Sequence, residues 1–258
     1  MIHPLFHLRT RTDGARYLEV HARGREVHLD PILNKGSAFS QEERWTFGIQ
    51  GMLPPRVSTI DDQLRRVRRN FDRADNDLER YMDLMALMDR NETLFHRLLL
   101  DHIEEMMPIV YTPTVGQACQ EFGTIFRRAR GLYVTAADRG RIYDLLAAWP
   151  VDDVAVMVIT DGERILGLGD LGASGMGISI GKLSLYVAGA GIHPSRVLPI
   201  CIDVGTDNLA LRGDPLYLGM NCPRIRGADY LALIDELMLA IARRFPDAVV
   251  QFEDFASH

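Results

Sequence analysis

The sequence predicts an α/β protein: a helical N-terminal region followed by a parallel-sheet α/β domain. Two observations carry this. Between residues 60 and 110 apolar side chains recur every three or four positions, as helices that bury one face require. Beyond about residue 150 short apolar runs alternate with longer amphipathic or apolar stretches, the pattern of strands joined by crossover helices. The change of grammar places a boundary near 130–150, with a mainly helical domain over 1–130 and the α/β domain over 131–258.

Residues 1 to about 58 show little sustained periodicity and several Pro and Gly breaks, and read as irregular. From Ile60 the helical stripe is Leu64, Val67 and Phe71, then Leu78 to Met88, then Leu94, Leu98, Leu99 and Ile103, with Ser58 or Thr59 as the opening cap. These positions need nothing beyond a core to explain them. Pro113 suits a first-turn position with Thr112 as cap, predicting a helix to about Arg127. Thr135 and Asp138 resemble a capping box for a helix ending before Pro150. Strands are expected at 154–159, 197–202 and 249–252, and a further one at 165–168. Helices are expected at 177–190, stopped by Gly191, and at 229–245.

Composition excludes several classes. A net charge of −6 and a sequence dominated by neither sign argue against a nucleic-acid partner. No run of 18 apolar residues predicts a membrane span, and no apolar signal core opens the chain. Three cysteines without a C-x-x-C pair suit free thiols, and a cytoplasmic location is expected.

Only two of the 29 basic residues are lysines, Lys35 and Lys182. An arginine keeps its proton, whereas a desolvated lysine can release one. Lys182 lies in a stretch, 171–202, with no Asp or Glu. It is a candidate base; a snorkelling lysine, or one paired over long range, fits equally well. Glu253 and Asp254 close the last strand, where open α/β sheets build their sites, and their hard oxygens suit Mg²⁺ or Mn²⁺. Both reach one ion only if the backbone turns there, and a solvated pair is the commoner arrangement. Gly167-Leu168-Gly169-Asp170-Leu171-Gly172 fits G-x-G-x-x-G, but no acid follows about 20 residues on, so a tight turn is the better reading. Arg164 can clamp a carboxylate, or pair with Glu163 or Asp161. Tyr111 offers a phenol beside a helix entrance, where a buried, satisfied hydroxyl is the usual case.

Taken together, the sequence resembles the malic enzyme family. The resemblance runs through HLDPILNKGSAF (28–39), GMLPP (51–55), MDRNETLF (88–95) and MPIVYTPTVGQAC (107–119). It continues through TDGERILGLGDLG (160–172), GMGISIGKLSLY (175–186), DVGT (203–206), DPLYLG (214–219) and VQFEDF (250–255). It implies oxidative decarboxylation of L-malate to pyruvate and CO₂, with NAD or NADP and with Mg²⁺ or Mn²⁺. It implies Lys182 as general base, Tyr111 as acid, Arg164 on the malate carboxylate beside the nicotinamide, and Glu253 and Asp254 as metal ligands. In the family a third metal carboxylate and a nucleotide-binding Rossmann domain follow; both are expected to be absent here, leaving a fragment inactive by itself. The full-length form is expected to be a homo-oligomer. A free-standing dicarboxylate-binding or subunit-docking module, and a malolactic-type fragment, are the alternatives.

Overall fold

The computed structural model describes residues 2–256, and the chain divides into two compact units, Met1–Met106 and Met107–His258.

The first unit opens with an antiparallel sheet of β1 (Ile2–His3), β2 (Phe6–Thr10) and β3 (Arg16–Val20), in the order β1-β2-β3. The sequence pattern predicts an irregular segment here, and the structure corrects it. The strands alternate, but one face carries His7, Arg9, Tyr17 and Glu19, and only Phe6 of β2 is fully buried, so the apolar signal is thin. Two short helices follow, α1 (Arg25–Leu29) and α2 (Gln41–Thr46), the latter opened by a Ser40–Glu43 capping box. Arg44 is almost wholly buried and donates to four backbone carbonyls, those of Phe39, Pro54, Ser37 and Arg56, at 2.7–3.3 Å. Its charge therefore ties two loop segments, 37–39 and 54–56, together without a carboxylate.

The predicted helical stretch is α3 (Ile60–Phe71), α4 (Asp77–Arg90), α5 (Glu92–Asp101) and α6 (Ile103–Val110). Thr59 caps α3 as expected. The stripe positions Val67, Phe71, Leu84, Leu87, Met88, Leu94, Leu98 and Leu99 are all buried.

The second unit holds a four-stranded, all-parallel sheet in the order β4-β6-β5-β7, with β4 at Leu132–Thr135, β5 at Val156–Thr160, β6 at Val197–Asp203 and β7 at Val249–Phe252. β5 and β6 are buried along almost their whole length, as strands covered on both faces must be. Met157, Ile159, Leu198, Ile200 and Ile202 pack with α9 (Ile142–Ala147) and α12 (Gly227–Arg244) through Ile142, Leu146, Leu233, Leu237 and Ile241. The alternate residues point the other way: Cys201 donates to Ala173 O (3.6 Å), at the entrance of α10 (Met176–Ala190), which packs on β5 and β6. α10 ends on Gly191 at φ 66°, the left-handed cap expected of a helix stop.

The structure departs from sequence expectation at four further places. The helix after Pro113 is two pieces, α7 (Thr114–Gln120) and α8 (Phe122–Ile125), and Pro113 itself occupies the cap position without a side-chain cap. The Thr135–Asp138 capping box is present but closes a single 3₁₀ turn before α9. Residues 165–168 form a tight loop, because Gly167 and Gly169 take φ 77°, which bends a strand back on itself. β4 and the short α11 (Leu209–Gly213) had no distinct signal. By contact, α7 and α8 lie in the second unit, where α7 packs against α10. Among the described residues no helix is long and apolar enough to cross a membrane.

Candidate active site

The site grows from the carboxyl end of β7. Glu253 N still donates to Ile159 O (2.9 Å), extending the β7–β5 pairing by one residue. Asp254 then takes φ 57°, the only left-handed backbone at a non-glycine residue among those described. This is the turn that lets two neighbouring carboxylates leave the pleat together. Phe252 and Phe255 pack edge to face across it (5.1 Å between centroids), and Asp254 O accepts from Arg164 N (3.0 Å). The turn is thus pinned to the loop after β5.

Tyr111, at the end of α6, donates its hydroxyl to Glu253 Oε1 at 3.0 Å. Lys182, on α10, forms an ion pair with the same oxygen. The Lys182 ammonium also lies 5.3 Å from the centroid of the Tyr111 ring. Lys182 and Glu253 side chains are only 19% and 16% exposed, so this is not a screened surface pair. The acid-free sequence around Lys182 is therefore not an acid-free environment: the carboxylate comes from 71 residues away. Lys35, the other lysine, sits in a half-exposed pair with Glu43 (2.7 Å) within a capping box.

The other oxygen of Glu253 accepts from Gln251 Nε2 (2.8 Å), and Gln251 in turn accepts from the Tyr186 hydroxyl. Sequence reasoning missed both residues. A signal existed: Gln251 lies two residues before Glu253, on the same side of an extended strand, and Tyr186 lies one helical turn beyond Lys182.

Electrostatics follow from this crowding. Burial first, then the negative charge of Glu253, push the Tyr111 phenol well above its usual range, so it stays protonated. Burial first, and the charge of Glu253 second, hold the Asp254 carboxyl above the usual aspartate value, against an opposing pull from Lys182. Two acids of hard oxygen donors, one of them destabilised by the other's charge, form a donor set that fits a divalent cation of the Mg²⁺ or Mn²⁺ kind. Among the described residues no third His, Cys, Asp or Glu atom joins these two in a three-ligand group.

Arg164 is exposed, beside the turn that carries Asp254. The acids that offered it a surface pair are engaged elsewhere. Glu163 pairs with Arg226 (2.7 Å), and Asp161 accepts from the Tyr230 hydroxyl (2.7 Å) with Arg224 at 3.8 Å. The G-x-G-x-x-G loop is held by Asp170, which accepts from Gly172 N (3.0 Å), Asp207 N (2.8 Å) and Arg224 Nη2 (2.8 Å). Its last glycine has φ 52°, and a Cβ there would meet Tyr217 Oη at 2.2 Å. The turn accounts for the glycines.

Comparison with known proteins agrees on one family. The description "Malic enzyme, N-terminal domain" matches residues 88–258. The chain is 53% identical over 232 residues to the hydrogenosomal malic enzyme of Neocallimastix frontalis, covering 90% of this chain and 39% of that one. It is 54% identical to the NADP-dependent malic enzyme of Anas platyrhynchos (91% and 42%) and 52% identical to the NAD-dependent malic enzyme of Aeromonas hydrophila (88% and 40%). The chain thus spans about two-fifths of the length of the curated relatives it matches.

Proposed function

The chain belongs to the malic enzyme family, and on that premise we propose that it forms the malate- and metal-binding part of an enzyme that oxidatively decarboxylates L-malate to pyruvate and CO₂, reducing NAD⁺ or NADP⁺. The observation that carries this reading is the meeting of a phenol and an ammonium on one carboxylate oxygen, that of Glu253. Relatives of near-equal identity are named for NAD and for NADP, so the nucleotide stays a choice between the two.

In this reading Lys182 accepts the proton of the malate C2 hydroxyl as hydride leaves C2, giving oxaloacetate. The C3–C4 bond then breaks, CO₂ departs, and its electron pair forms the enolate of pyruvate. Tyr111, kept protonated by burial, delivers a proton to C3. Arg164 holds the substrate carboxylate through a bidentate contact. Glu253 and Asp254 would hold the divalent metal, which would supply polarisation of the C2 oxygen, while a bound nicotinamide would supply the hydride acceptor. Gln251 and Tyr186 support the geometry by fixing the second oxygen of Glu253.

The test is product analysis on the complete gene product with L-malate, Mn²⁺ and each nucleotide. Pyruvate, CO₂ and reduced nucleotide in equal amounts support the proposal. Lactate without net reduction assigns a malolactic reaction, and malate binding without turnover assigns a binding module; either overturns it.

A further inference from the structure

We propose that the N-terminal sheet carries a second metal site, selective for a Zn²⁺-type ion, built from His7, Glu19 and His21. These residues lie outside the candidate active site and outside the region matched to the family, residues 88–258.

The pleat assembles the site. His7 of β2 stands directly opposite Glu19 of β3, and His21 follows Glu19 by two residues. His21 lies just past the end of β3, where its N and that of Ala22 both donate to Leu5 O (2.9 and 3.1 Å), and its ring turns to the face of His7, the two ring nitrogens 3.2 Å apart. The intervening residues turn inward: Phe6 is fully buried, and Leu18 and Val20 pack on its cluster. The His, Glu, His set is therefore the outer face, open to ions from solution.

The spacing suits ligation. His7 Nδ1 lies 3.2 Å from His21 Nε2 and 3.6 Å from Glu19 Oε2, and all three ligand atoms lie within 4.8 Å of one another. Ligands at Zn–N distances of 2.0–2.1 Å on a tetrahedron stand about 3.3 Å apart. The two rings approach edge to face, with centroids 4.5 Å apart, so their nitrogens converge rather than stack. Two imidazole nitrogens and one carboxylate favour Zn²⁺, Co²⁺, Ni²⁺ or Cu²⁺ over Mg²⁺, which demands oxygen. A fourth position is left for water.

Arg9 marks the place of the positive charge. Its Nε donates to Glu19 Oε2 (2.8 Å) and its Nη2 lies 3.5 Å from His7 Nδ1. Without an ion, the guanidinium serves the two groups that the metal would join. Because the ligands come from two strands, the bound ion also fastens β2 to β3.

The experiment uses the chain after chelator stripping and without a polyhistidine tag. Zn²⁺ titration by calorimetry should show one site, and Co²⁺ should give the intense visible bands of tetrahedral coordination. His7→Ala and His21→Ala should each weaken Zn²⁺ binding by at least about tenfold. The double substitution Glu253→Gln with Asp254→Asn should leave the site intact. Equal affinity in wild type and in a His7→Ala, His21→Ala double variant overturns the proposal, as does loss of binding only when Glu253 and Asp254 are changed. Co²⁺ broadening of the His7 and His21 imidazole resonances checks the same point in the unaltered chain; resonances that stay sharp at saturation overturn it.

Discussion

The Lys182 ammonium stands 5.3 Å from the ring centroid of Tyr111, and both side chains end on Oε1 of Glu253. One carboxylate oxygen thus holds the candidate base and the candidate acid in register before substrate arrives. In the reaction proposed above, an incoming malate would break into this arrangement and free Lys182 beside the C2 hydroxyl.

Lys182→Arg separates charge from proton transfer. An arginine can keep an ion pair with Glu253, but it cannot act as a base. Loss of general base catalysis is worth about a hundredfold to ten-thousandfold in rate. In the complete enzyme kcat for malate oxidation should fall by that order while KM changes little. Near-normal turnover in steady-state assays would remove the base assignment.

Tyr111→Phe keeps the ring beside Lys182 and removes the donor. Exchange of the C3 protons of pyruvate, followed by NMR in deuterated water, should slow by about a hundredfold or more. Reduction of oxaloacetate needs no proton at C3 and should be much less affected. Equal losses in the two assays would count against the acid role.

Much of this was readable in the sequence, for definable reasons. α3 to α6, α10 and the buried strands carry strong apolar periodicity or long apolar runs, and they appear close to where the pattern puts them. Glu253 and Asp254 were placed by their position at a strand end, but the left-handed turn at Asp254 was not, because an aspartate gives no such signal by itself. The Lys182–Glu253 pair was hidden, since tertiary packing alone joins residues 71 positions apart. The first sheet was hidden for the opposite reason: its outer face of His7, Arg9 and Glu19 dilutes the apolar alternation of Phe6, Leu18 and Val20.

Asp254 gives a stability test with a definite sign. Its folded-state carboxyl binds a proton more readily than in the unfolded chain, through burial and then the charge of Glu253. That preference stabilises the fold below the unfolded aspartate value and is lost as pH rises through the raised folded value. At neutral pH the metal-free protein therefore bears the cost of the ionised group. Asp254→Asn removes the charge and tolerates the backbone at φ 57°. Its Tm in metal-free buffer should exceed that of wild type at neutral pH, with the gain shrinking as pH falls. Asp254→Ala should gain less, because a left-handed alanine costs about 1 kcal/mol. A gain that grows on acidification would contradict the assignment.

Gly181 tests whether packing behind the site positions Tyr111. Alanine in a helix interior is worth about 1 kcal/mol over glycine. Here an added Cβ would lie 2.6 Å from Val110 O and 3.1 Å from Tyr111 Cδ2. The carbonyl belongs to the backbone and cannot rotate away, so strain of about 1–3 kcal/mol opposes the gain. Gly181→Ala should therefore lower Tm and, by displacing Tyr111, slow pyruvate proton exchange more than oxaloacetate reduction in the complete enzyme. Gly189 on the same helix is the control, since nothing lies within 4 Å of its added Cβ. Gly189→Ala should be neutral or stabilising and leave both rates alone. Equal behaviour of the two variants would show that the contact between α10 and residues 110–111 does not set the position of the phenol.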